Sequence, residues 1–186
     1  RTEFRPQGGV LEVVDWMHMG GFSFEEQEQH RLPAIYRLLR CLEGRVRVRI
    51  LFNPKLNYAR DKTVLSHTAS GLLAEGSEDA LCLHAPCPFV LGSQGAEATL
   101  TLHEGEDAAL ILTYGKTERE NVPPPLRSLE KTIRFWNRWT SECETGSCVS
   151  PGPWKDPAMR SALALKVLAG GRGIAAAATT SLPEIP

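Results

Sequence analysis

The stretch RVRVRILF, residues 45 to 52, constrains the fold more than any other part of the chain. Val46, Val48, Ile50 and Phe52 alternate with Arg45, Arg47 and Arg49. Successive side chains of a strand point to opposite faces, so the apolar set lines one face and the guanidiniums the other. One face belongs to a core. The arginine face has two readings, a stripe for polyanions or a solvated sheet face balanced by neighbouring carboxylates. The charge balance favours the second, because 21 Lys+Arg stand against 22 Asp+Glu for a net charge of -1. The same balance argues against nucleic acid or an anionic membrane surface as a partner.

Around this stretch lie further β-signals. VLEVVDWM (Val10 to Met17) follows the turn signal QGG, and the polar SFEEQEQHR after it reads as a loop. AIYRLLRCLEG fits strand or short helix by periodicity, and it is read as strand because a turn at Gly44 then leads into RVRVRILF. TVLSHTA, GLLAEG, ALCLHA, PFVLG, ATLTLHEG and AALILTYG follow, separated by Gly, Pro and Asp. Short strands in close succession are the signature of an antiparallel sandwich. No alternation of strand and helix, no G-x-G-x-x-G and no G-x-x-x-x-G-K-[ST] is present, which leaves a nucleotide-binding α/β fold without support. A chain of 186 residues with 42% hydrophobic content holds one core, or one core and an appendage.

At ENVPPPL the character changes, because three prolines at 123 to 125 make a stiff extended spacer. Beyond them Leu129, Ile133, Trp136 and Thr140 recur at helical spacing, and Glu130 precedes Arg134 by four residues. This predicts an amphipathic helix with Phe135, Trp136 and Trp139 on it. Those aromatics suit docking onto a sandwich better than stacking on sugar. After the loop CETGSCVSPGPW, DPAMRSALALKVLAGG opens with Asp156 as N-cap and Pro157 at the first helical position, and closes on glycines. Met159, Ala162, Leu163, Leu165, Val167 and Leu168 leave this second helix little polar face. It should be packed on more than one side, and little of the remaining chain can cover it.

Five cysteines, Cys41, Cys82, Cys87, Cys143 and Cys148, are an odd number, which argues against a fully paired secreted framework and for a reducing, cytoplasmic setting. In an oxidising compartment Cys143 and Cys148 would be the pair to close. Two Cys-x4-Cys spacings with His84 and His103 nearby raise zinc as a question, but structural sites use tighter spacings and APCP reads as a strand entering a turn. No metal and no cofactor is expected. The chain shows neither a basic-then-apolar leader at its start nor an apolar run long enough to span a bilayer.

The closing run RSALALKVLAGGRGIAAAATTSLPE resembles the start of the catalytic domain in bacterial proteins of glycoside hydrolase family 15, the glucoamylase, glucodextranase and trehalase-like enzymes. There a helix of the form RSALTLK leads into GAIVAAATTSLPE. EVVDWM is similar to the family's VTDFMP strand, HRLPAIYRLLRCLEGRVRVRILFNPKLNYAR to the stretch ending in PRFDYGR, and FWNRWTSEC to its linker helix FWRDWL. The resemblance implies a mainly β chain: an antiparallel β-super-sandwich, a linker helix and the first helix of a truncated (α/α)6 barrel. On that mapping residues 1–120 are the sandwich, 121–155 the spacer, linker helix and loop, and 156–186 the start of the catalytic domain. The linker helix is expected over 126–143.

Family 15 enzymes invert configuration with two glutamates, an acid that protonates the leaving oxygen and a base that activates water. Both lie downstream of TTSLPE in the family, so no catalytic residue is expected in this chain. Glu184 aligns with the ordinary glutamate of the motif. Thr179, Thr180 and Ser181 are the expected substrate contacts, at the edge of the barrel pocket only. The partner implied is an α-glucan or trehalose-like carbohydrate, held by the missing barrel, with self-association through the uncovered C-terminal helix as a further expectation. Two readings follow: the N-terminal portion of a glycoside hydrolase, inactive alone, or a stand-alone sandwich module that binds carbohydrate or a protein. The unpartnered barrel helix favours the first. No Ser-His-Asp arrangement or H-E-x-x-H is apparent.

Overall fold

The computed structural model describes residues 1–19, 33–60, 62–145, 152–170 and 173–174. They fall into two compact units. One is built from Arg1–His18 and Leu32–Thr132, and the other carries Met19 and the described residues of Ile133–Pro186.

The first unit is antiparallel throughout. Its strands are β1 (Thr2–Phe4), β2 (Gly9–Met17), β3 (Ala34–Phe52), β4 (Val64–Thr68), β5 (Gly71–Glu75), β6 (Ala80–His84), β7 (Val90–Gly92), β8 (Gly95–His103) and β9 (Asp107–Tyr114). The main order is β1-β2-β3-β9-β6-β5-β4, and β8 joins β3 to β7. The expected antiparallel, mainly β architecture is therefore present, and each short stretch marked by alternation or turn residues forms a strand.

Gly44 corrects the sequence reading. It does not end a strand: β3 runs unbroken for 19 residues. Gly44 sits at φ +67 opposite Gly9, and a Cβ on it would lie 2.3 Å from the Gly8 carbonyl oxygen. Only glycine permits this backbone contact. Before Gly44, β3 is paired with β2 and β9; after it, β3 is paired with β8. The buried parity switches at the same place. Leu39 and Cys41 occupy odd positions and Val46 an even one, yet all three share one cluster with Leu11, Leu102 and Ala108. A one-residue irregularity flips every later side chain to the other face, and the register shift between Val10 and Leu11 marks it on the partner strand.

Face-to-face packing follows from that switch. Ile50, Ala96 and Ala98 of the short sheet meet Leu72 and Leu83 of the long one, with Phe89 among them. The opposite face of the long sheet buries Trp16, Ala34, Tyr36, Leu38 and Ile111 beneath Val122 and Leu129. The spacer prolines help to build this cover. Pro125 opens a helix, Pro125–Thr145, in place of belonging to the spacer, as suits a residue that has no N–H to leave unpaired.

The buried side of this helix is displaced by one position from the predicted stripe. Ser128, Thr132, Phe135 and Cys143 are buried, while Ile133 is half exposed. The second helix, Lys155–Leu168, starts at the cap residue Trp154, so Asp156 lies in its first turn and is not the N-cap. There its carboxylate still complements the positive end of the helix dipole. At the other end the C-cap is Ala169 in extended backbone, and Ala169–Gly170 pairs with Gly173–Ile174, so the glycines lie past the cap. No residue of this helix is buried. Among the described residues no helix is long and apolar enough to cross a membrane.

Candidate functional site

The sequence-predicted contacts Thr179, Thr180 and Ser181 lie outside the described residues, as do Glu184, the SFEEQEQHR stretch and the Cys148 half of the proposed cysteine pair. The described residues offer three places where polar groups converge, all in the first unit.

The first is an open groove of about 860 Å³ on the outward face of the short sheet. Strand alternation turns Val46 and Ile50 inward, so Arg49 and Leu51 of β3 and Glu97 and Thr99 of β8 line the groove, joined by Asn53, Val90 and Gln94. Arg49 clamps Glu97 with two bonds, Nε to Oε1 at 2.5 Å and Nη2 to Oε2 at 2.7 Å. Donation from the guanidinium holds the Glu97 carboxyl below its ordinary range. The pair shows one of the three arginines of RVRVRILF balanced by a neighbouring carboxylate. It also fixes the chemistry. A glycosidic acid must keep its proton near neutral pH, and a carboxylate clamped by arginine gives its proton up. Glu97 is the one carboxylate among the described lining residues, which offer hydrogen bonds but no acid and base pair.

Beside it, a cavity of about 470 Å³ is lined by Asn53, Lys55, Lys62, Thr63 and Ser93 among others. It shares Asn53 and the β7–β8 turn with the groove.

The third place is the covered face of the long sheet. Trp16 stacks on Tyr36 at 5.1 Å and donates its indole N–H to Ser128 Oγ at 2.9 Å. His18 Nδ1 lies 2.9 Å from the same hydroxyl. Thr132 Oγ1 donates to the Ser128 carbonyl at 2.9 Å and approaches the Met17 carbonyl at 3.4 Å. Tyr36 donates its hydroxyl to the Pro123 carbonyl at 3.1 Å, and burial pushes its phenol pKa up. In the same row of the sheet stands His84, buried, with Nδ1 at 2.8 Å from Ser70 Oγ and Nε2 buried without a hydrogen-bond partner among the described residues. Burial first, and the Arg119 charge second, hold its pKa below the ordinary imidazole value. A serine and a histidine in contact suggest nucleophilic catalysis, but that requires a third group orienting the ring, and among the described residues none is hydrogen-bonded to the remaining ring nitrogen. This cluster holds the helix start to the sheet.

Sequence reasoning singled out His84 only as a zinc question. In the structure His84 belongs to β6 and His103 ends β8, and among the described residues no three metal-ligating side chains come together. Ser128, Thr132 and Trp16 were missed as a set. Their only sequence signal is the spacing of Ser128 and Thr132, one helical turn apart on what looks like a polar side.

Comparison with known proteins agrees with the architecture. The profile of the trehalase-like N-terminal domain matches residues 10–134, from β2 to the middle of the first long helix. Trehalases from Thermoplasma volcanium and Thermoplasma acidophilum are 27% identical over 191 and 192 residues, each covering 98% of this chain. Mycobacterium tuberculosis trehalase is 29% identical over 210 residues and covers all of it. No solved structure matches. The chain spans about 30% of the length of these relatives. With two thirds of its residues matched, beginning in the sandwich and ending inside the helix that covers it, the chain belongs to the trehalase-like N-terminal domain family.

Proposed function

We propose that the chain is the N-terminal portion of an inverting glycoside hydrolase acting on α-glucosidic bonds, trehalase-like or glucoamylase-like, and that alone it is inactive. One observation carries this reading: alignments that run through 98–100% of this chain cover only 29–31% of each trehalase. The acid and base, set apart by roughly 6.5–9.5 Å to admit a water, then belong to the larger remainder. The clamped Glu97 supports the same view, since the groove holds no candidate for the acid.

In this reading residues 1–120 are the sandwich, 121–155 the connecting segment and 156–186 the entrance to a helical barrel. Thr179, Thr180 and Ser181 border the barrel's pocket, and an α-glucan or trehalose-like sugar is bound there. The Lys155–Leu168 helix is the first barrel helix, and its exposed Leu165 and Val167 are covered by the rest of the barrel or, in the chain by itself, by a second copy. The cysteine content fits a reducing cytoplasm.

Purified 1–186 is expected to release no glucose from trehalose or maltooligosaccharides, and measurable turnover would overturn the reading. The coding sequence after Pro186 is the second check. A continuation with W-D-Y-R and L-R-D motifs is expected, whereas an immediate native stop codon would transfer the weight to a stand-alone binding module.

A further inference from the structure

The connector that carries the chain from β9 into the first long helix is fastened at a few polar points. Arg119–Asn121 form one short turn, in which Val122 N–H donates to the Arg119 carbonyl at 3.1 Å. Arg119 also reaches forward and donates from Nη1 to the Val122 carbonyl at 2.8 Å. The next carbonyl, that of Pro123, accepts from the Tyr36 hydroxyl at 3.1 Å. Between these two bonds Val122 is buried in one cluster with Trp16, Tyr36 and Ile111. Pro123, Pro124 and Pro125 have no N–H to add, so the two carbonyl bonds and the burial of Val122 hold the segment down.

His84 stands in the row that Val122 covers: Tyr36 is paired with Ile111, and Ile111 with His84. Its far side is walled by the β4–β5 turn, where Ser70 Oγ lies 2.8 Å from Nδ1 and the Ser70 carbonyl accepts from Ala85 N–H at 3.0 Å. Gly71 is its partner on β5, and a Cβ there would lie 2.0 Å from the Leu83 carbonyl oxygen, so this wall is pressed against β6. Any adjustment around the ring therefore falls to the connector.

Few groups face the ring among the described residues. β5 brings Gly71 and the Ser70 hydroxyl, β9 brings Ile111, and Tyr36 stands one strand beyond. The connector brings charge: the Arg119 guanidinium acts against a protonated ring and the Glu120 carboxylate in its favour. A neutral ring is anchored by its one bond with Ser70. A protonated ring is a donor at both nitrogens, and Nε2 has no acceptor among the described residues. A buried cation left in that state beside a second cation is costly.

We propose that His84 is an acid-operated latch on this connector: when the ring takes up a proton from solvent, Arg119 is driven off, its bond to the Val122 carbonyl opens, and the connector lifts from a sheet that stays paired. Lifting separates the two like charges and lets water reach Nε2–H. It also returns the ring to surroundings in which 6.5 is its ordinary pKa, whereas closure holds the value lower. The lifted form therefore binds the proton more readily, and it gains population as pH falls below 6.5.

The test is amide hydrogen exchange, read by NMR on the whole 186-residue chain at pH 7.5 and 5.5 and corrected for intrinsic rates. Amides 119–122 and 126–129 should exchange about tenfold faster, relative to those rates, at the lower pH. Low urea should leave that exchange unchanged, the mark of a local opening, while amides of β3 and β9 remain slower and urea-sensitive. His84→Gln should abolish the pH ratio. Arg119→Gln, at a half-exposed position, should speed connector exchange at both pH values and cut the ratio by about half, because the repulsion goes and the burial stays. A role for Arg119 in fastening alone would speed both equally, so this variant decides the matter even if His84→Gln does not fold. The latch is overturned if connector exchange is the same at both pH values, if the ratio survives His84→Gln or is untouched by Arg119→Gln, or if the connector opens only together with the sheet.

Discussion

The Pro125–Thr145 helix is the more polar of the two long helices, yet it buries Ser128, Thr132, Phe135 and Cys143. The Lys155–Leu168 helix is the more apolar, yet none of its side chains is fully buried, and Leu165 and Val167 stand 55% and 64% exposed. Composition alone therefore does not decide what a helix buries. The sheet beneath the first helix presents an indole N–H from Trp16 and a carbonyl from Met17, and hydroxyls satisfy both where methyl groups would leave them unpaired. The second helix half-buries Met159, Ala162, Leu163 and Leu168, with Lys166 Nζ 5.9 Å from the centre of the Phe135 ring, and leaves Leu165 and Val167 outward.

This contrast can be broken at its strong end first. Tyr36 is fully buried between Trp16 and the spacer, so Tyr36→Ala should lower stability by about 3–5 kcal/mol in urea unfolding. A loss under about 1 kcal/mol would mean that the helix cover contributes little. Next, Ser128→Ala leaves the buried Trp16 N–H without its acceptor and should cost about 1–3 kcal/mol. Adding Trp16→Phe to that variant removes the orphaned donor, so the second change should cost less in the Ser128→Ala background than in the parent. Strict additivity would show that the hydrogen bond is not the cause.

The third effect is smaller and depends on pH. The His84 pKa is held below 6.5, so the unfolded chain binds this proton more readily than the folded one. Its contribution to stability is complete above 6.5 and is lost as pH falls through the lowered value. Asp15, held below 3.8 by the hydrogen bond from Arg37, adds a second loss only in stronger acid. A His84→Gln variant should flatten the first step of the melting-temperature curve and keep the second, and an unchanged curve would remove His84 as its origin. The weak end of the contrast predicts the least: Leu165→Ser and Val167→Ser should each shift stability by under about 0.5 kcal/mol. A larger loss in thermal melts would reveal a cover for the second helix within the chain.

The strands were legible because alternation is a local signal: Val46, Val48 and Ile50 announce an inward face whatever lies opposite. Gly44 was misread because the same residue serves a turn or a close backbone crossing, and only the position of Gly8 and Gly9 distinguishes them. The helix stripe was placed one residue late for a similar reason. Hydroxyl side chains count as polar in a periodicity reading, and Ser128 and Thr132 become core residues only when a donor 112 positions away in sequence is brought to them. The cavity beside the groove was invisible, since nothing in NPKLNYARDKT signals the left-handed backbone of Asn57, Tyr58 and Ala59. The family resemblance, in contrast, was carried by motif identity and required no geometry.

The long strand β3 also sets an order of events during synthesis. Its first edge finds β2 as soon as the hairpin leaves the ribosome, but its other edge waits for β8 and β9, with Arg49 meeting Glu97 only 48 residues later. At typical elongation rates that is a delay of several seconds, during which a wide, apolar ribbon is open to foreign strands. The arginines of RVRVRILF, charged and outward-facing, are placed where they would discourage such pairing until the proper neighbours arrive.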